Sequence, residues 1–214
     1  MEANQMLDFD DIVKSEDEIR ELIGYPSELA KNKVIHYLDS HCKEFISHSP
    51  LLFISSSDDQ GFCDVSPRGD EPGFVHILDD QRMVIPERPG NRRIDTMRNL
   101  LKNPRVGLIF VIPGLEETLR INGRARIIKE KELLNQMQVR GKTPLLGLGV
   151  IIEECYVHCA KAFKRSSLWD PDSWIDKKEL PNIPQMISVH AKQLGLSEEE
   201  VSSSLHESYT KRLY

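Results

Sequence analysis

Residues 51–70 read LLFISSSDDQGFCDVSPRGD, and residues 74–93 read FVHILDDQRMVIPERPGNRR. In each stretch a short apolar run meets an Asp-rich turn and then resumes as a second extended run. Leu51 to Ser55 gives way to Asp58-Asp59-Gln60-Gly61 and then to Phe62–Ser66. Phe74 to Leu78 gives way to Asp79-Asp80 and then to Arg82–Ile85. Apolar runs separated by turn residues at this spacing spell antiparallel hairpins. The core therefore starts with two successive hairpins, not with a strand–helix–strand unit.

Downstream, Val106 to Ile112 is almost wholly apolar and reads as a buried strand. Thr118 to Ile128 alternates as a long strand, with Gly123 marking a bulge or a close backbone approach. Val150 to Val157 is a further strand. Short helices are expected at Arg92–Leu101, capped by Asn91 and stopped by Asn103-Pro104, and at Lys131–Val139. Upstream, Ser27 caps a helix expected from Glu28 to about Ile46, which Pro50 closes. After Trp169 the chain turns Pro-rich (Pro171, Pro181, Pro184) and ends in a polar helix from Ser197, where Ser197 and Glu200 form a capping box. Six or seven strands in hairpin order, with helices between them, favour a mainly β, α+β fold: an antiparallel barrel or sandwich, not an alternating parallel sheet. The organisation expected is a helical segment over residues 1–49, a β domain over 50–170 and a helical tail over 171–214.

Two clusters carry chemistry. Val65-Ser66-Pro67-Arg68-Gly69-Asp70 ends a strand in a stiff backbone that presents an arginine, a side chain suited to gripping an anion bidentately. The plainer alternative is a surface loop whose arginine pairs with Asp70 or Glu71. Ile85-Pro86-Glu87-Arg88-Pro89-Gly90-Asn91-Arg92-Arg93 ends a strand in a loop and places three arginines at an expected helix start, where free N–H groups and the helix dipole also favour phosphate. The alternative there is a solvated basic turn. Both clusters lie at strand ends of successive hairpins, so they are expected to converge on an anion.

Other motifs lead nowhere. Gly141-Lys142-Thr143 resembles the end of a phosphate-binding P-loop, but Gln136 stands where the required glycine should be. Gly147-Leu148-Gly149 begins a dinucleotide pattern that Ile152 breaks. Arg68-Gly69-Asp70 spells an adhesion tripeptide, which has no use in a reduced compartment. Cys155, His158 and Cys159 lack a fourth ligand, and are read as buried thiols beside an independent histidine. His76 and His158 are the only acid–base candidates, and each reads more simply as a satisfied histidine.

The chain has 214 residues and a net charge of −6, from 28 Lys+Arg against 34 Asp+Glu. Its 39% hydrophobic content supports a core, and its charge argues against a nucleic-acid binder. No apolar run approaches the roughly 20 residues of a membrane span. The acidic start MEANQMLDFDD has no hydrophobic signal region, and no two of the four cysteines are spaced as Cys-x-x-Cys, so a cytoplasmic location is expected.

Ser-Pro-Arg-Gly-Asp, Ile-Pro-x-Arg-Pro-Gly-Asn-x-Arg and Asn103-Pro104-Arg105-Val106-Gly107-Leu108, in this order, resemble the pyridoxamine 5′-phosphate oxidase-like flavoproteins with an FMN-binding split barrel, most closely the bacterial branch with the Ser-Pro-Arg-Gly-Asp signature. Gly123-Arg124-Ala125, His158-Cys159-Ala160-Lys161-Ala162 and Leu168-Trp169-Asp170-Pro171 also look like that branch, and the likeness runs from about Lys33 to Pro171. The resemblance implies an antiparallel split β-barrel and a homodimer with FMN at the subunit interface. It implies that Arg68, beside Gly69, and the Asn91–Arg92–Arg93 segment, which follows Gly90, hold the phosphate, with Gly69 and Gly90 also at the cofactor. Ile85, Pro86, Glu87 and Arg88 would meet the ring and ribityl chain, with Ser66 and Pro67 at the ring edge. The basic stretch from His158 to Trp169, through Lys161 and Trp169, would complete the neighbour's site; the alternative is a solvated helix turn with Trp169 packed on its own barrel. The oxidases' own Ser-Arg-Lys clamp and C-terminal Arg-x-His are missing, so the implied activity is an FMN-dependent oxidoreductase of unassigned small-molecule substrate, with NADH or NADPH as electron donor. The rival class is a non-catalytic module that carries or senses FMN, haem or a flavin-like ligand.

Overall fold

In the computed structural model the described residues are 9–214; the reading of the extreme N-terminus lies, for residues 1–8, outside them. The chain divides into two compact units, residues 1–34 and 35–214. In the first, helix α1 (Glu16–Ile23) begins under Ser15, and α2 (Glu28–Asn32) begins under Ser27, whose hydroxyl accepts from the Ala30 N–H.

The single helix expected from Glu28 to Ile46 does not form. In the second unit α3 (Ser40–His48) starts afresh, with the Asp39 carboxylate accepting from the Cys42 N–H at 2.8 Å. Ahead of it, Ile35 pairs its main chain with Cys155 in both directions, at 3.0 and 2.7 Å. The bridge to Cys155 holds Ile35 extended, and the Asp39 carboxylate satisfies one of the orphan N–H groups that the new helix start creates.

The second unit is built on seven strands: β1 (Leu51–Ser57), β2 (Cys63–Gly69), β3 (His76–Ile77), β4 (Arg82–Pro86), β5 (Arg105–Val111), β6 (Thr118–Ile128) and β7 (Gly147–His158). They form one antiparallel sheet in the order β2-β1-β5-β6-β7-β4-β3. The sheet is open, as a split barrel requires. Both hairpins are present, and in the second β4 also pairs with the long strand β7, leaving β3 at the sheet edge. At Gly123 the β6–β7 register shifts, and a Cβ there would stand 2.1 Å from the Ile151 carbonyl oxygen. The bulge glycine is therefore a matter of backbone contact.

Period-2 patterning sends Leu52, Ile54, Leu108, Phe110, Leu119 and Ile121 inward, where each is almost fully buried. Full burial of each such side chain stabilises the fold by roughly 1.5–3 kcal/mol. Leu38, Cys42 and Ile46, around α3, join the same core. The opposite face leaves Phe53 at 39% and Ile109 at 40% exposure, directly paired across β1 and β5.

Two further helices are shorter than the sequence suggests. Helix α4 (Asp95–Leu100) begins three residues after Arg92, because Arg92 and Ile94 adopt positive φ of 60° and 56°, outside helical geometry. Asn91 caps only a local turn, accepting from the Arg93 N–H at 3.0 Å. Helix α5 (Lys131–Asn135) ends before Val139, which bridges to Lys142 instead. Beyond β7 come α6 (Lys161–Ser166), α7 (Ile183–His190) and α8 (Glu198–Lys211), the last under the capping box of Ser197 and Glu200. No helix among the described residues is long and apolar enough to cross a membrane.

Candidate functional site: a cleft between the two hairpins

The ends of β2 and β4 wall a cleft of about 1030 Å³. Ser66, Pro67, Arg68 and Gly69 line it from β2; Pro86, Glu87 and Arg88 from the end of β4; and Gly90, Asn91, Arg92 and Arg93 from the turn before α4. Convergence of the two sequence clusters is thus what the fold delivers. Ile85 is the exception: it is wholly buried in the core and does not line the cleft. Gly69 is small for a packing reason, since a Cβ would come 3.3 Å from the Pro50 carbonyl oxygen.

A polar network forms one wall. The Thr96 hydroxyl donates to Asp64 Oδ2 at 2.7 Å and lies 2.9 Å from the Ser66 hydroxyl. Arg68 donates to the Ser66 hydroxyl, the Pro67 carbonyl and the Thr96 hydroxyl, and its Nε donates to Glu87 at 3.2 Å. Both members of the Arg68–Glu87 pair are largely buried. The expectation that Arg68 grips an anion therefore meets an internal competitor, and the loop partners weighed for it, Asp70 and Glu71, are not the ones it takes.

Asp70 instead belongs to Arg88. Arg88 Nε donates to Asp70 Oδ2 at 2.5 Å, with the Asp70 side chain 1% exposed, and a second guanidinium nitrogen reaches the Met137 carbonyl. Burial alone would push the Asp70 carboxyl up. Hydrogen bonds from the Tyr214 hydroxyl, the Glu71 N–H and Arg88 outweigh it and hold the group below the usual carboxylate range.

The basic turn is the open part of the site. Arg93 makes only an exposed pair with Asp95 at 2.8 Å, and Arg92 has no ion-pair partner among the described residues. Since α4 starts later than expected, Arg92 and Arg93 lie in the turn before the helix and not in its first turn. The cleft is also lined by Lys142 and Thr143, which the sequence offers only as the end of a failed P-loop, and by Pro144, Leu145 and Leu146, which no motif marks. They enter because β7 pairs antiparallel with β4, Pro86 against Gly147, so the residues before β7 face those after β4. The Glu87 N–H donates to the Leu146 carbonyl at 3.0 Å. The strand pairing was the missing signal; the failed P-loop reading of Gly141-Lys142-Thr143 concealed it. Tyr214, from the far end of the chain, also lines the cleft.

Lys161 and Trp169 lie outside this cleft. Trp169 donates its indole N–H to the Leu115 carbonyl at 2.9 Å and stacks on Phe163 at 5.9 Å, packing on its own chain as an ordinary aromatic would. The neighbouring basic residue Lys164 pairs with Glu116. Neither His76 nor His158 reaches the cleft. Cys155 is buried 3.4 Å from Cys42, whereas Cys159 is exposed, which corrects the reading of both Cys155 and Cys159 as buried thiols. No group of His, Cys, Asp or Glu among the described residues could hold a metal.

The open antiparallel sheet, with a cleft built from its hairpin ends, defines a split-barrel protein. The family model for pyridoxamine 5′-phosphate oxidase matches residues 38–159, more than half of the chain, and the chain belongs to that family. Its members generally bind flavins or related cofactors and are often dimeric. No curated protein matches the chain. Among solved structures, HupZ from Group A Streptococcus is 18% identical over 56% of this chain and 93% of its own, with a TM-score of 0.47. General Stress Protein 26 from Bacillus anthracis is 16% identical over 55% of this chain and 93% of its own, with a TM-score of 0.40. The Mycobacterium tuberculosis protein Rv2991 is 11% identical over 62% of this chain and 91% of its own, with a TM-score of 0.45.

Proposed function

We propose that this chain is an FMN-binding oxidoreductase acting on a small molecule, as a cytoplasmic homodimer. The observation that carries the reading is that one cleft is lined both by the arginine turn, where Arg92 has no ion pair among the described residues and Arg93 has an exposed one with Asp95, and by the apolar side chains of Pro67, Phe74, Pro86, Leu145 and Leu146. That donor set suits a ligand with a phosphate at one end and a planar ring at the other, and the volume lies at the top of the usual range for such ligands, roughly 300–1,000 Å³. Arg92 and Arg93 hold the phosphate, and Asn91 shapes the turn that carries them. Arg68 keeps Ser66 and Thr96 in place, while Pro67 and Pro86 bound the ring. When bound, the flavin supplies the redox chemistry, and the chain supplies position and electrostatics.

In the dimer, the exposed pair Phe53 and Ile109 belongs to the covered face, and the Lys161–Trp169 segment approaches the partner's cleft. The electron donor in this reading is NADH or NADPH. One observation favours the rival of a carrier or sensor: among the described residues the acidic side chains lining the cleft, Asp64, Glu87 and Asp95, already serve an arginine or a hydroxyl. A visible spectrum of the purified protein, followed by anaerobic addition of NADH or NADPH, decides between them. A flavin spectrum that bleaches supports the enzyme; a flavin that never reduces supports the carrier; no flavin uptake refutes the enzyme and the flavin carrier alike.

A further inference from the structure

Helix α8 is polar along most of its length, yet the chain beyond it brings an aromatic ring to the cleft. The Tyr214 hydroxyl donates to Asp70 Oδ1 at 2.6 Å, on the carboxylate that also takes Arg88. The Lys142 ammonium donates to the Tyr214 main-chain oxygen at 2.5 Å. The Arg140 guanidinium stands over the ring, 4.8 Å from its centroid. Tyr214 is thus held at its hydroxyl, its backbone and its ring by residues from two separate places in the fold, the end of β2 and the loop after α5.

This anchoring serves no core, because Tyr214 belongs to neither cluster of buried apolar side chains. It does serve the cleft, whose lining includes Tyr214 together with Pro86, Leu145 and Leu146. A tyrosine tied down by its hydroxyl can present the rest of its ring to a planar ligand at little entropic cost. We propose that Tyr214 is a ligand-contacting wall of the cleft, delivered by the α8 tail and fixed by Asp70, Lys142 and Arg140 to pack against a planar heteroaromatic ring. The inference deepens the flavin reading and rests on it.

The test titrates FMN into the full chain and into the Tyr214→Phe and Tyr214→Ala variants, recording Kd and the emission of the bound flavin. A phenol touching an excited flavin quenches it by giving it an electron, which returns when the pair relaxes. The wild type should bind FMN with quenched emission. Tyr214→Phe keeps the ring but loses its tie to Asp70, so it should weaken FMN less than Tyr214→Ala does, with brighter bound flavin. Tyr214→Ala should weaken binding roughly fivefold, the scale of one lost aromatic contact, and also brighten the flavin. Should Tyr214→Ala melt well below the wild type, the emission of Tyr214→Phe decides. Wild-type uptake with unchanged Kd and emission in both variants overturns the wall alone. No FMN uptake by the wild type overturns the wall and the flavin reading together.

Discussion

Asp70 shows how one residue divides its work between stability and site. Its carboxylate is almost fully buried, it anchors Arg88, and it receives the Tyr214 hydroxyl. Asp70→Asn leaves Arg88 largely buried without its counter-charge and should cost about 3 kcal/mol of unfolding free energy in urea. The exposed Arg93–Asp95 pair is a control: Asp95→Asn should change stability by less than about 1 kcal/mol. The lowered pKa of Asp70 gives a pH signature. Its contribution is complete above the unfolded value of about 3.9 and is lost as pH falls through the lower folded value. The wild type should therefore lose more stability than Asp70→Asn on acidification below about pH 4. The Tyr214 phenol runs the other way. The hydrogen bond to Asp70, then burial, raise its pKa, so its tie is intact below the ordinary value of about 10 and fails as pH rises through the folded value. The arginines also separate. Arg92→Ala should weaken FMN at least about tenfold while leaving riboflavin unaffected, as loss of a charge-assisted bond to phosphate requires. Arg68→Ala, which strips a part-buried network, should show first as a lower melting temperature.

Among the elements, β6 was the most legible. Its bounds follow from alternation alone, and Gly123 was marked as a bulge by a glycine inside a strand. Gly123→Ala would drive a methyl into the Ile151 carbonyl, where backbone cannot yield as a side chain would; about 2 kcal/mol of lost stability is expected in thermal unfolding. The helices were less legible, for a consistent reason. Local propensity favoured helix at residues 33–39, 92–94 and 136–139, but tertiary pairing took Ile35 to Cys155, positive φ at Arg92 and Ile94 delayed α4, and a tight turn took Val139 to Lys142. The site was legible where chemistry was written into contiguous motifs, at residues 66–69 and 86–93. It was not legible at Lys142–Leu146 or Tyr214, which reach the cleft only through the β4–β7 pairing and the path of the chain after α8.

At the scale of the whole molecule, the sheet buries one face and leaves Phe53 and Ile109 side by side on the other. Obligate interfaces are commonly large and apolar, so the protein should scatter light as a particle of twice 24.6 kDa at micromolar concentration. Phe53→Asp with Ile109→Asp should release monomers and, if the partner completes the site, release flavin with them. The reading of the cleft itself is tested most directly by calorimetric titration of flavin-free protein with FMN and, separately, with riboflavin. One FMN bound per chain, with riboflavin at least tenfold weaker, is the result expected from a cleft with Arg92 and Arg93 at its phosphate end. Equal affinity for the two flavins, or no uptake of either, would contradict it.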